Sequence, residues 1–253
     1  MDIFDQLASY SPNELLALAE VAGKKSKEID LIGTHSASIS ANRLGEVSSL
    51  LRGIQDVPPL DIQEWPHPKL KKNQDKRLYR FWGEISNSMQ RIIWLLENHL
   101  TKNVFYRPPG VWDSHYLNDK SQTEANLPFF GCLNRFIQEL QTRKTEHGTL
   151  MDNVTVLIGS EFGRFPKLNS YAGKDHFPES PFILFGKGVR SGEIWGSLGR
   201  KMEGLRISGL DGKRDKNGHK VTLDDLGTTL LFMAGINPRR YGYSGNVLRF
   251  IYS

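Results

Sequence analysis

The sequence predicts an α/β protein: a parallel or mixed sheet flanked by helices, with a helical region ahead of it. Two observations carry this expectation. From about residue 101, short β-branched apolar runs alternate with segments of helical period, as in strand–helix units. Before that point apolar residues recur at three- and four-residue spacing, and no run reads as a buried strand. The division expected is therefore a helical N-terminal region, 1–100, packing on an α/β core, 101–253.

Ser11-Pro12-Asn13-Glu14 opens a first helix: Ser11 is the N-cap, Pro12 the first helical residue, and Glu14 completes a capping box. A second helix is expected over 41–52. The prolines between Val57 and Pro68 exclude regular helix there and mark a linker or surface loop. Leu78, Phe81, Trp82, Ile85, Met89, Ile92, Ile93 and Leu96 predict a long helix over 76–100. In the core, 103–106 is a strand candidate ended by Pro108-Pro109-Gly110. A helix follows over 123–144, with Leu127, Phe130, Leu133, Phe136, Ile137 and Leu140 inward. The run 153–158 reads as a strand buried on both faces, and 182–185 as another. Thr222 caps a last helix that runs to Gly235.

With 253 residues the chain can build a sizeable core, as one large domain or two small ones. The single cysteine, Cys132, excludes an intrachain disulfide and a multi-cysteine zinc site. No apolar run reaches the roughly 18 residues of a membrane span. The first residues lack the basic and apolar blocks of a secretory signal. A net charge of +5 favours anionic partners such as phosphate or sulfate esters. The basic clusters (Lys69–Lys72, Lys213-Arg214, Arg239-Arg240) are short and scattered, read as solvated faces, and no nucleic-acid-binding motif accompanies them.

Three polar clusters follow strands or link them, where open α/β sheets bind ligands. Asp113 and His115, two apart, share a face in extended backbone and make a usable metal pair; the plainer reading is a turn capped by Asp113. Glu161, just past the strand 153–158, needs a ligand, solvent or a charge partner, and Arg164 could pair with it or clamp an anionic substrate. Gly173-Lys174-Asp175-His176 lies in a loop between two strands, as a binding loop or an ordinary surface loop. His35, His67, His99 and His219 lack an acidic neighbour at ligand-like spacing, and His147 reads as a helix-end residue.

The succession Trp112-Asp113-Ser114-His115, Gly159-Ser160-Glu161-Phe162-Gly163-Arg164, Asn169, Gly173-Lys174-Asp175-His176-Phe177-Pro178 and Thr222-Leu223-Asp224-Asp225-Leu226 resembles a bacterial sulfatase-like family. That family is catalogued as domain of unknown function fifteen-oh-one, and the resemblance covers about 111–240. It implies an alkaline-phosphatase-like fold with divalent metals held by Asp, Glu and His around a nucleophile. The implied metal residues are Asp113, His115, Glu161, Asp175 and His176, for zinc, manganese, magnesium or calcium. Arg164 and Lys174 would bind an anionic small-molecule or polysaccharide ester. Phe162 stands where relatives often carry a histidine, which puts a second metal in question. The family's first-strand aspartate and nucleophile have no counterpart in 1–60, where Thr34 and Ser36 come nearest. Exported relatives begin with a twin-arginine signal, so the resemblance implies a periplasmic or extracellular protein. The expected function is sulfate or phosphate ester hydrolysis at an incomplete centre; the alternative is a non-catalytic sulfatase-like scaffold or binding protein.

Overall fold

The computed structural model describes residue 58, residues 76–110 and residues 112–252, with the backbone alone for 76–80. The helices expected over 11–23 and 41–52, the proline-rich loop beyond Pro58, and Thr34 and Ser36 lie outside the described residues. The chain divides into two compact units, Met1–Asp61 with Ser86–Val104, and Ile62–Ile85 with Phe105–Ser253.

Helix α1 (Lys76–Glu97) matches its expected period, and Ile85, Met89 and Ile93 are fully or almost fully buried at four-residue spacing. Residues 103–106, expected as a strand, form no ladder: Val104 and Phe105 are exposed. Pro108 and Pro109 lack backbone donors and end the segment, and no described strand pairs with it.

Helix α2 (Asn118–Thr142) begins five residues earlier than expected, behind Leu117, a cap residue without a side-chain hydrogen bond. Its buried stripe is Ala125, Pro128, Phe129, Cys132, Leu133, Phe136 and Leu140. The stripe turns Phe129 inward and leaves Phe130 exposed, a correction to the predicted face. Each buried large side chain of this stripe contributes about 1.5–3 kcal/mol, so Phe136→Ala alone costs about 3–5 kcal/mol. Hairpin β1–β2 (Lys144–Thr145, Gly148–Thr149) follows, placing His147 in its turn rather than at a helix end.

The two expected core strands are present and paired with each other, as β3 (Thr155–Ile158) and β6 (Ile183–Gly186). The pair is antiparallel, with Leu157 opposite Leu184 and Ile158 opposite Ile183. Every sheet among the described residues is a two-stranded antiparallel one, so the architecture is broadly α/β without a parallel ladder. The reason is legible in 159–182. Parallel pairing needs a crossover, usually a helix, and this stretch holds no helix. It carries instead a second small ladder, β4 (Gly163–Arg164) with β5 (His176–Phe177). Nor is β3 buried on both faces, since Thr155 and Leu157 are exposed. Leu184 packs on a cluster of Ile207, Leu248, Phe250 and Ile251, joined by Trp195, so irregular C-terminal segments cover this side of the sheet.

Helix α3 (Leu223–Met233) starts as expected. The Thr222 side chain accepts from the Asp225 N–H and the Asp225 side chain accepts from the Thr222 N–H, a full capping box. Its fully buried positions are Asp225, Thr228 and Thr229, while Leu223 and Phe232 are exposed. No helix among the described residues is long and apolar enough to cross a membrane.

Candidate functional site

The β4–β5 ladder sets Arg164 directly opposite His176, so both side chains leave the same face of that ribbon. The irregular segment 112–117 lies against them. Lys174 N–H donates to Ser114 O at 2.8 Å, and Asn118 N–H to Ala172 O at 2.8 Å. Asn169 fastens the two segments. Its Nδ2 donates to His115 O and to Asp175 Oδ1, both at 3.0 Å, and its Oδ1 accepts from the Tyr171 and Gly173 N–H groups. At Gly173 the approach is so close that a Cβ would stand 1.7 Å from His115 O, so only glycine fits.

Four of the predicted residues come together here. The His115 Nδ1 lies on Asp113 Oδ1, which as a carboxylate oxygen can only accept, so Nδ1 is the donor of this contact. The same oxygen accepts from the His115 N–H at 3.1 Å and from Arg164 Nη2 at 3.2 Å. These hydrogen bonds, His115's first, and then the nearby Arg164 charge hold the Asp113 carboxyl below its ordinary range. Arg164 also donates to the Lys174 and Trp112 carbonyls. The His176 ring sits 4.7 Å from the His115 ring and stacks on Phe162 at 3.9 Å.

The others stand apart. Glu161 is exposed and has no hydrogen bond or ion pair with the described residues; Arg164 turns to Asp113, so the Glu161–Arg164 pair, one of the two readings of Arg164, does not form. Asp175 is held by Asn169, and Lys174 is half-buried with its ammonium unpaired among the described residues. The signal for Asn169 was present: an Asn followed by Ser-Tyr-Ala-Gly is the composition of a side-chain-stabilised turn.

A divalent ion is implied here by the resemblance, and the side chains fit it in kind. Asp113 Oδ2, His115 Nε2 and the His176 ring accept no hydrogen bond from the described residues, and carboxylate with imidazole suits zinc or manganese. They are not gathered around one point: no group of three or more His, Cys, Asp or Glu among the described residues is arranged to hold a metal.

A second Asp–His pair lies at the start of α3, where local spacing hid it. His219 Nε2 donates to Asp225 Oδ2 at 2.7 Å across six residues, correcting the reading of His219 as lacking an acidic neighbour. Oδ2 also accepts from the Thr222 N–H and hydroxyl, and Oδ1 from the Asn246 N–H and side-chain amide. Burial alone would raise the Asp225 carboxyl, but donors from His219, Asn246 and Thr222 outweigh it and hold it at about 2.

The family described as "Protein of unknown function (DUF1501)" matches residues 98–250, more than half of the chain, and the chain belongs to it. No curated protein and no solved structure matches.

Proposed function

We propose that this chain carries the imidazole–carboxylate part of a metal-dependent centre for hydrolysing sulfate or phosphate esters, on a scaffold of the alkaline phosphatase type. The observation that supports it is the meeting of Asp113, His115 and His176, brought from two separate segments and locked by Asn169. Asp113, His115 and His176, near one another but not gathered at one point, would hold the ion only after their side chains turn together; when bound, it would polarise an ester oxygen and stabilise developing negative charge. Asp113 orients the His115 ring through Nδ1, which leaves Nε2 as the nitrogen that would meet the ion. Arg164 fixes the carboxylate against Trp112 and Lys174, and the Lys174 ammonium is available to an anionic substrate. The centre is a partial one. No hydroxyl among the described residues hydrogen-bonds to the His115 or His176 ring, so none of them is paired with an imidazole base for a covalent route.

One observation favours a second reading, a scaffold that binds a ligand without turnover. The Arg164 guanidinium already lies on Asp113 and His115, where it neutralises the carboxylate. Hydrolysis of p-nitrophenyl sulfate and p-nitrophenyl phosphate, with added zinc, manganese or calcium, tests the proposal. Turnover close to the uncatalysed rate is expected, with any excess removed by His115→Ala. Robust turnover that survives His115→Ala and His176→Ala would place the chemistry elsewhere and sink the assignment.

A further inference from the structure

The loops that build the site also display two tyrosines. Tyr116 and Tyr171 are 64% and 62% exposed, yet their rings meet at 5.0 Å with a tilt of 49°. Each is followed by a non-glycine residue in left-handed backbone: Leu117 at φ 46 and Ala172 at φ 52. Such backbone is strained for residues with a Cβ and persists only where surrounding structure imposes it. Here the imposing bonds are visible. Leu117 N–H donates to Tyr171 O, Asn118 N–H to Ala172 O, and Tyr171 N–H to Asn169 Oδ1. The chain thus holds strain at two matched positions, and what those positions present is an open pair of aromatic faces. Neither phenol hydroxyl has a hydrogen bond with the described residues.

The charged residues on the two segments that carry the pair are unequally engaged. Asp113 is taken by His115 and Arg164, and Asp175 by Asn169. Lys167 and Lys174, on the same loop as Tyr171, have no ion pair with the described residues. Two tilted aromatic faces with free hydroxyls suit a pyranose ring, whose C–H face stacks on the ring while its hydroxyls bond at the edge. Unpaired lysines suit an anionic substituent on that ring.

We propose that Tyr116 and Tyr171 form a stacking subsite for a sugar ring of a saccharide bearing sulfate or phosphate groups, which Lys174 helps to recognise. The assignment rests on the ester-hydrolase reading for its placement beside the site, and names the substrate class of that site. It is tested on an array of neutral, sulfated and phosphorylated galactose, mannose and glucose hexasaccharides, followed by calorimetric titration of those retained. The full chain is expected to prefer charged members over their neutral counterparts. Tyr116→Ala and Tyr171→Ala should each weaken binding about tenfold, while Tyr→Phe at either position holds it within about threefold. Lys174→Ala should narrow the gap between charged and neutral forms. Because both rings are exposed, these variants should keep the wild-type circular dichroism, melting temperature and zinc titration. Failure to retain any array member, or alanine variants that bind like wild type, overturns the subsite. So does self-association of the wild-type chain that the alanine variants abolish, since the pair would then be a contact between copies. Saccharide binding lost with zinc binding kept confirms the subsite independently of the metal; zinc binding absent from the wild type, with the tyrosine effects intact, removes the hydrolase reading and leaves the subsite standing.

Discussion

Asp113 and His115 sit two residues apart in an irregular segment, and their side chains keep 68% and 34% of their exposure. Asp225 and His219 form the other Asp–His pair, and there the carboxylate keeps only 2%. The two carboxylates differ most in what their oxygens do. Both oxygens of Asp225 are occupied by donors from His219, Thr222 and Asn246, which tie the start of α3 to the 244–248 segment. Among the described residues all the donors to Asp113 fall on Oδ1, and none on Oδ2. A saturated, buried carboxylate is part of the framework; a half-engaged, exposed one beside two imidazoles can still take a ligand. The same residue types, at similar contact, thus stand in different surroundings.

The contrast breaks first on stability. Asp225→Asn should cost about 3 kcal/mol in chemical denaturation, because it leaves buried donors without their charged acceptor. Asp113→Asn should leave the denaturation midpoint at its wild-type value. A midpoint for Asp225→Asn close to wild type would mean that the capping hub is not structural.

Gly173→Ala comes next. The added Cβ would collide with His115 O, so the loop must shift; a loss of about 1–3 kcal/mol is expected, together with ion binding at the Asp113 side. A variant as stable as wild type that still binds the ion would show that the two segments are not locked as described.

The pH dependence sharpens the comparison further. The Asp225 carboxyl is held at about 2, below its ordinary 3.8. A depressed acid stabilises the fold above its ordinary value, and that contribution is lost as pH falls from 3.8 through about 2. The wild-type melting temperature should therefore drop across this window, and Asp225→Asn should remove much of the drop. An equal drop in both proteins would assign acid sensitivity to other carboxylates.

The smallest effect is expected at Glu161. Exposed and without a partner among the described residues, it should tolerate Glu161→Gln within about 0.5 kcal/mol and with unchanged ion affinity. Loss of ion affinity in this variant would return Glu161 to the centre.

What the sequence disclosed follows the range of the interactions involved. Helices α1, α2 and α3 were legible because their signals, apolar period and the Thr222–Asp225 box, act within a few residues. Strands β3 and β6 were legible as β-branched apolar runs. Their direction differs from the expected parallel or mixed arrangement because the alternation of strands and helices along the chain does not extend to 159–182, a loop between them in which Gly, Pro and Asn break every helical period. In the site, Asp113 and His115 showed themselves through two-residue spacing, and the Arg164–His176 register did not, since pairing across a ribbon leaves no local mark. His219 was missed for the same reason: its acid lies six residues away, brought back by the turn before α3.

The most direct test of the division between the two pairs is a zinc and manganese titration of four proteins: wild type, His115→Ala, His176→Ala and His219→Ala. About one ion per chain is expected for the wild type and for His219→Ala, with binding at zinc–imidazole strength lost in the other two. No binding by the wild type, or binding lost in His219→Ala and kept in His115→Ala, would contradict the account.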